Sequence, residues 1–231
     1  MRGGDEATTS VESRPSWRRI SRGENRLPVM LAVLAAVALQ ILLPDKLALK
    51  PHYLLPALEL ALLALLTSLN PVYLDRRHPL ARHASIGLTA LVTLANMISA
   101  ALLIEQILNG RVGGDAKGLL GSGAAIYLTN VIAFALWYWE IDQGGPFERA
   151  AGGHDAPDFL FPQMATAELA EADWKPMFTD YLYVSYTNVV AFSPTDTMPL
   201  TRTAKLLMLA QSAVAVCVVA LVVARAVNVL H

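Results

Sequence analysis

Five long aliphatic stretches constrain this chain more than any other feature of its sequence. They cover Leu27–Pro44, Tyr53–Leu69, Ile86–Leu108, Leu119–Ile141 and Ala204–Leu230. A helix needs about 20 mainly apolar residues to cross the roughly 30 Å hydrocarbon core of a membrane, and each stretch reaches or approaches that length. The sequence therefore predicts an all-α integral membrane protein with about five transmembrane helices.

The composition supports a membrane protein and excludes several other classes. Hydrophobic residues make up 55% of the chain and charged residues 16%, whereas soluble domains have about 45–50% and about 25%. The formal net charge of −1 argues against a nucleic-acid partner, because no excess positive charge attracts phosphates. The single cysteine, Cys217, excludes a disulfide scaffold and a multi-cysteine zinc site. No metal-ligand cluster or catalytic motif is present, so we expect no metal, no cofactor and no enzymatic activity.

The chain divides into a tail, a three-helix membrane region and a C-terminal module. Residues 1–26 are polar, with six arginines, four acids and no apolar period, so we predict a disordered tail. A signal peptide is the alternative for this tail and the first stretch, but that stretch exceeds the usual apolar length of about 7–15 residues. Residues 27–110 contain the first three helices, and residues 111–231 form the C-terminal module.

The least hydrophobic part of the C-terminal module carries the most information. We predict an outer helix at 119–141, an acidic, Gly- and Pro-rich linker at 142–173, a short helix and loop at 176–199, and an inner helix at 203–230. Thr179 or Asp180 can cap the short helix, and Pro194 stops it. Irregular backbone at membrane depth must be buried in protein or line water, so this pattern predicts a re-entrant loop.

A resemblance to a known family lies in residues 180–227, which read DYLYVSYTNVVAFSPTDTMPLTRTAKLLMLAQSAVAVCVVALVVARAV. They resemble the pore helix, filter and inner helix of the pore-loop ion channel superfamily. Its potassium-channel-type modules commonly read D-x-L-Y-F-S-x-x-T-x-T-T-V-G-Y-G-D-x-x-P. Without any gap, Asp180, Ser185 and Asn188 fall in the pore helix, and Asp196 falls on the aspartate after the filter. The resemblance implies a homotetramer in which each chain supplies a quarter of a pore for monovalent cations.

The filter positions depart from the superfamily. Where it has T-V-G-Y-G, this chain has Ala191, Phe192, Ser193, Pro194 and Thr195. Potassium filters expose backbone carbonyls through glycines, whose conformational freedom the last three of these residues lack. We therefore predict a ring of hydroxyl groups with Asp196 carboxylates at one mouth. Such a lining favours cations with little discrimination or is closed, and a hairpin that conducts nothing is the alternative.

Small residues form a stripe along the inner helix. They are Ala213, Cys217, Ala220 and Ala224. Their spacing places them on about one helix face, where small side chains allow a second helix to approach closely. That second helix belongs either to another chain or to the same bundle.

Polar side chains inside the apolar stretches are a second group of candidates. Glu59 is a candidate proton or cation site, because an ionised group at membrane depth is costly; it is protonated, or paired with Asn96 or Gln40. Asn96 and Asn130 are expected to form interhelical hydrogen bonds.

The distribution of arginines conflicts with the resemblance. The arginines of the tail place the N-terminus in the cytoplasm by the positive-inside rule. After four spans the pore-type loop also faces the cytoplasm, whereas in potassium channels it enters from outside. Either the loop is inverted, as in the glutamate-receptor branch of the superfamily, or residues 177–192 cross the membrane fully, or the charge rule fails.

Three hypotheses about function remain open at this point. The first is a weakly selective cation channel in the plasma or bacterial inner membrane, with the lipid bilayer around it and copies of the same chain as partners. The second is a non-conducting structural or accessory protein with a degenerate pore-loop fold. The third and weakest is a proton-coupled carrier of small solutes that uses Glu59.

Overall fold

The computed structural model describes residues 15–21, 23–69, 79–111, 115–153, 156–191 and 196–230, and these are mostly helical. The α-helices of these residues are α1 Leu27–Ile41, α2 Leu54–Leu69, α3 Pro79–Leu108, α4 Ala116–Ile141, α5 Pro146–Ala150, α6 Pro162–Ala165, α7 Phe178–Val190 and α8 Arg202–Leu230. Two short strands, β1 Phe159–Leu160 and β2 Met198–Pro199, pair antiparallel, with Phe159 opposite Pro199. The prediction of an all-α fold is confirmed, with this small ladder as an addition.

Three helices within the described residues are long and apolar enough to cross a membrane. They cover Leu80–Leu108, Ala116–Gly144 and Arg202–Asn228. The first two predicted spans form the shorter helices α1 and α2, of 15 and 16 residues, or about 22–24 Å at about 1.5 Å per residue. α1 ends before Pro44, because proline disfavours helical backbone in the residue that precedes it. Three helices of this length and composition are typical of a membrane protein.

The first four long helices run up and down. The Arg26 guanidinium, just before α1, donates a 2.7 Å hydrogen bond from Nη1 to the carbonyl oxygen of Leu66, near the end of α2. Ser85, near the start of α3, donates to a carboxylate oxygen of Glu140, near the end of α4. The starts of α1 and α3 and the ends of α2 and α4 therefore lie together. We call this the proximal end of the bundle and the opposite one the distal end.

Aromatic side chains fill the core near the proximal end. The rings of Tyr138 and Phe159 lie 5.0 Å apart between centroids, and those of Trp139 and Phe178 lie 6.3 Å apart. Tyr181 contacts Phe159 edge-on at 6.3 Å. Aromatic rings bury large apolar areas in such tilted and edge-on contacts. The cluster thereby attaches β1 and the first turns of α7 to the end of α4.

The N-terminal segment is packed where the structure describes it. The backbone N–H of Ser21 donates to the carbonyl oxygen of Ala150 at 2.9 Å, and a carboxylate oxygen of Glu24 accepts a 2.6 Å hydrogen bond from Trp139 Nε1. The prediction of a disordered tail is therefore wrong for residues 15–21 and 23–26. The prediction failed because the residues that bind this polar segment, Ala150 and Trp139, lie more than 100 residues further along the chain. The rest of the predicted tail lies outside the described residues.

The linker between α4 and α7 is also more ordered than predicted. The stretch 142–173 was predicted only as an acidic, Gly- and Pro-rich linker, but it contains α5, α6 and β1. A sharp turn begins it, in which Gly145 adopts a φ of +94° that favours glycine. A Cβ atom at this position would lie 2.8 Å from the carbonyl oxygen of Glu140. The turn folds the linker back over the proximal end of the bundle.

Candidate functional site

The short helix α7 starts at the proximal end and lies between α4 and α8. Its residue Ser185 donates a 2.7 Å hydrogen bond from Oγ to the carbonyl oxygen of Val131 in α4. Four residues later, Val189 packs against Val131 and Ala215 of α8. With 13 residues, α7 is about 20 Å long. It therefore runs alongside the proximal part of both long helices and ends near the middle of α4.

The start of α7 differs slightly from the prediction. The N-cap is Met177, and Asp180 sits in the first turn, where its Oδ2 accepts a 2.7 Å hydrogen bond from the backbone N–H of Met177. Asp180 thus satisfies an orphan donor at the helix start from inside the helix. Thr179, the other predicted cap, is exposed. The helix begins earlier because the buried Phe178 joins the aromatic core.

A buried network, which we call the Gln211 lock, joins α7 to α4 and α8 through Tyr138, Ser185, Asn188 and Gln211. The Oε1 atom of Gln211 accepts hydrogen bonds from the Tyr138 hydroxyl at 2.5 Å and from Asn188 Nδ2 at 2.9 Å. Its Nε2 atom donates to Ser185 Oγ at 2.7 Å and to the Ser185 carbonyl oxygen at 3.0 Å. Asn188 Nδ2 also donates to the carbonyl oxygen of Met208 at 3.1 Å.

Two members of the lock were identified from the sequence, and two were missed. Ser185 and Asn188 are predicted pore-helix residues, and in the structure both form hydrogen bonds with the side-chain amide of Gln211. Gln211 and Tyr138 were not singled out. A signal for Gln211 was present, since it is a lone amide within the most apolar helix window of the described chain. Nothing in the sequence ties Tyr138 to it, because 73 residues separate them.

The segment that follows α7 lies at the proximal end, where hydrogen bonds join the linker to α7 and to the start of α8. The Asp142 carboxylate accepts hydrogen bonds from the backbone N–H of Asp158 at 2.8 Å and from the Tyr181 hydroxyl at 2.6 Å. Asp158 in turn accepts from the Thr201 hydroxyl at 2.6 Å. Because β2 also pairs with β1, the segment after α7 returns to the end at which α7 began. The alternative in which residues 177–192 cross the bundle completely is therefore wrong.

A buried ion pair closes the proximal end. Arg149 Nε donates to Glu24 Oε1 at 2.7 Å, and Arg149 Nη1 donates to the carbonyl oxygens of Trp139 and Asp142 at 2.7 and 2.8 Å. The guanidinium also lies 5.1 Å from the ring centroid of Tyr181. Burial lowers the pKa of Arg149, but the charge and hydrogen bond of Glu24 together with the charges of Tyr181 and Asp142 outweigh this effect, so the pKa lies above its ordinary value. This permanent cation holds the tail, the linker and α7 together.

The structure describes only the two edges of the predicted filter. Ala191 is the exposed C-cap of α7, and Asp196 is exposed just before β2. The four residues between them, Phe192, Ser193, Pro194 and Thr195, lie outside the described residues. The hydroxyl ring therefore stays a prediction.

The small-residue face of α8 points away from the rest of the chain. All four of its members are exposed: Ala213, Cys217, Ala220 and Ala224. The buried face of α8 instead carries Ala215, Val218 and Val222. Among the described residues, none therefore packs this face inside the bundle, which contradicts one of the two predicted alternatives. The face remains free to contact lipid or another chain.

The predicted intramembrane polar residues are all buried, but their partners differ. Gln40 Nε2 donates to Glu59 Oε2 at 3.2 Å, which confirms one of the two predicted pairings. Asn130 has no hydrogen-bond partner for either side-chain polar atom in the described part of the chain, and Asn96 has none for Oδ1. The predicted interhelical hydrogen bond of Asn130 is therefore not formed there.

Neither a metal centre nor a known relative identifies the chain. Among the described residues, no group of three or more His, Cys, Asp and Glu side chains is placed to hold a metal ion. Comparison with known proteins finds no matching family, no similar curated protein and no similar solved structure.

Proposed function

We propose that this chain is a multi-pass membrane protein in which α4, α7 and α8 form a pore-loop-type module. Four copies assemble around an axis and pass monovalent cations with little selectivity. In this arrangement α1 to α4 and α8 cross the membrane, the two short helices α1 and α2 being accommodated by local thinning of the bilayer. α7 enters the membrane and ends within it.

The proposal rests mainly on the path of the chain between the linker and α8, which runs into the bundle and returns to the same end. α7 runs inward for about 20 Å, roughly two thirds of the hydrocarbon thickness. The chain then returns to the proximal end, where β2 pairs with β1. The Gln211 lock gives the buried polar groups of α7 hydrogen-bond partners, which irregular and short elements at membrane depth require. Ser185 and Asn188, which align with the superfamily motif, are the residues that make these contacts.

The charges favour entry of α7 from the cytoplasm. The described Lys and Arg residues near the proximal end number eight: Arg18, Arg19, Arg26, Arg82, Arg149, Lys175, Arg202 and Lys205. Those near the distal end number five: Lys46, Lys50, Arg111, Lys117 and Arg225. The positive-inside rule then puts the proximal end in the cytoplasm. Of the three ways to reconcile charge and resemblance, this supports the inverted loop.

The exposure of α8 supports assembly of several copies. Only 28% of its most apolar window is buried within the chain, compared with 67% for α4. The exposed side includes the stripe of small residues, which allows close approach of a second helix in a membrane. If α8 lines the central axis of an assembly, it needs an exposed face of small residues that contacts α8 of the neighbouring copies.

Reconstitution tests this proposal directly. The protein in nanodiscs is expected to have the mass of four chains, and liposomes that contain it are expected to pass K⁺ and Na⁺ at similar rates and chloride poorly. Asp196→Asn should reduce the preference for cations over chloride, because it removes four negative charges from one mouth. Asp173→Asn is the matched control, since Asp173 is an exposed acid of the linker. A monomer without ion flux contradicts the proposal.

A non-conducting accessory protein is the second candidate, and the loss of the filter glycines favours it. Ser193, Pro194 and Thr195 occupy the positions where the superfamily has G-Y-G. Restoring glycine at positions 193 and 195 distinguishes the two functions. A channel should change its selectivity, whereas an accessory protein should remain without flux in both forms.

A further inference from the structure

A second candidate site lies outside the pore-type module, among α1, α2 and α3. Glu59 is the ionisable residue of α2, and it is fully buried. Gln40 of α1 donates to its Oε2 atom at 3.2 Å. Its other carboxyl oxygen, Oε1, is buried without a hydrogen-bond partner in the described chain. A buried carboxylate oxygen that accepts no hydrogen bond raises the free energy of the folded protein.

No positive charge compensates Glu59 in the described residues. α1 contains no ionisable side chain, and the ionisable residues of α3 are Arg82, His83 and Glu105. All three are exposed and lie near the ends of α3, and none forms an ion pair with Glu59. The groups that face the carboxyl from its neighbours are amides and apolar side chains. An ionised Glu59 would thus be an isolated charge in a dry interior, which is strongly unfavourable.

A proton on Oε1 removes this conflict. The neutral acid carries no charge, and burying a neutral polar group costs far less than burying an isolated charge. The hydrogen bond from Gln40 remains, because the carbonyl oxygen of the acid still accepts it. The environment is therefore suited to a carboxylic acid and unsuited to a carboxylate.

A small cavity with a few polar side chains in a mainly apolar lining connects this region with the distal end. It has a volume of about 20 Å³, enough for about one water molecule. Gln40, His52 and Ser99 contribute its polar lining. The His52 Nδ1 atom lies 2.7 Å from Asp45 Oδ1, and the Asp45 side chain is 86% exposed. Asp45 and His52 thus link the distal surface to the cavity, and Gln40 links the cavity to Glu59.

We infer that Glu59 is a buried proton-binding site that exchanges its proton with water at the distal end through His52 and this cavity. A proton from that water converts the carboxylate to the carboxylic acid, and no other bond changes. Gln40 separates the cavity from the carboxyl, so its amide must move for each exchange. The inference does not depend on the pore-type module, because none of its residues belongs to α4, α7 or α8.

Infrared difference spectroscopy of the full chain in nanodiscs tests the protonation state. Subtracting the spectrum of Glu59→Gln from that of the natural chain at neutral pH should leave a carboxylic-acid C=O band. Glu105→Gln is the matched control, because Glu105 is an exposed glutamate near the distal end that pairs with Arg111 at 2.9 Å. Apart from the negative bands of the new glutamine amide, its difference spectrum should contain carboxylate bands and no carboxylic-acid C=O band. Carboxylate bands in the Glu59→Gln difference would overturn the inference.

Two further variants keep the test decisive if Glu59→Gln folds poorly. Gln40→Leu retains the acid but removes its donor, so the C=O band should move to higher frequency; an unmoved band contradicts the geometry. In liposomes, a pH step on the distal side alone should convert acid to carboxylate, and His52→Leu should slow this conversion. A response to the proximal side instead, or no effect of His52→Leu, would refute the route through His52.

Discussion

Replacement of Gln211 by leucine tests whether the lock holds α7 between α4 and α8. The side chain is fully buried and makes four hydrogen bonds, to Tyr138, Asn188 and two atoms of Ser185. Leucine has a similar size but cannot donate or accept. Polar contacts between membrane helices are worth about 0.6 kcal/mol each on average, so four of them give about 2–3 kcal/mol. We expect Gln211→Leu to lower the free energy of unfolding by this amount.

A double-mutant cycle attributes the loss to the lock itself. Tyr138→Phe removes one hydrogen bond and should cost about 0.6–1 kcal/mol. Both single variants remove the same hydrogen bond. The free energy of unfolding of the double variant should therefore fall by less than the sum of the two single losses, the difference being about 0.5–1 kcal/mol. Unfolding in mixed detergent micelles, followed by tryptophan fluorescence, measures these differences. Gln106→Leu is the matched control, since Gln106 makes one hydrogen bond, to Lys46, at the distal end.

A second measurement reports on the position of α7. Val189 is buried against α4 and α8, so a cysteine at this position in a Cys217→Ser background should label slowly. Gln211→Leu should accelerate that labelling, because α7 loses its polar attachment. Strictly additive free energies together with unchanged labelling would refute the reasoning.

Two further variants test the proximal ion pair and the packing of α8. Arg149→Met should destabilise the chain, by about 3 kcal/mol or less, because it leaves the mostly buried Glu24 carboxylate without its cation. Adding Glu24→Gln should recover part of this loss of stability in the same unfolding assay, and no recovery contradicts the pairing. Gly123→Ala should cost about 1–3 kcal/mol, because its Cβ would lie 2.9 Å from Val222 Cγ1. Gly121→Ala, with no described atom within 4 Å of its Cβ, should not destabilise the chain, because alanine is the better helix former.

The positions of the helices follow from local properties of the sequence. Long aliphatic runs predicted α3, α4 and α8 at nearly the observed places, and α3 only begins earlier, at Pro79. Proline is favoured at the first position of a helix, where its missing N–H has no partner to lose. α7 was also predicted, because a helix start near Asp180 and the later Pro194 delimit it. Each of these signals acts over a few neighbouring residues.

The contacts that hold α7 and the tail were not predictable in the same way. Glu24 and Arg149 are separated by 125 residues, and neither is unusual in its own segment. Polar composition predicted disorder for the tail, because composition cannot reveal a buried partner elsewhere in the chain. The same limit applies to Tyr138 and Gln211, which meet only after α4 and α8 pack antiparallel.

The sequence by itself determined the chemical class of the chain, the helical stretches and the existence of a short helix before the last one. These properties depend on hydrophobicity and on local starts and stops, which a single chain displays directly. Only the tertiary structure decided that the chain after α7 returns to the end where α7 began and that the small-residue face of α8 points outward. It alone also decided that one oxygen of Glu59 accepts a hydrogen bond from Gln40 while the other has no partner in the described chain. Those outcomes depend on which distant side chains become neighbours, and burial makes each such pairing energetically decisive.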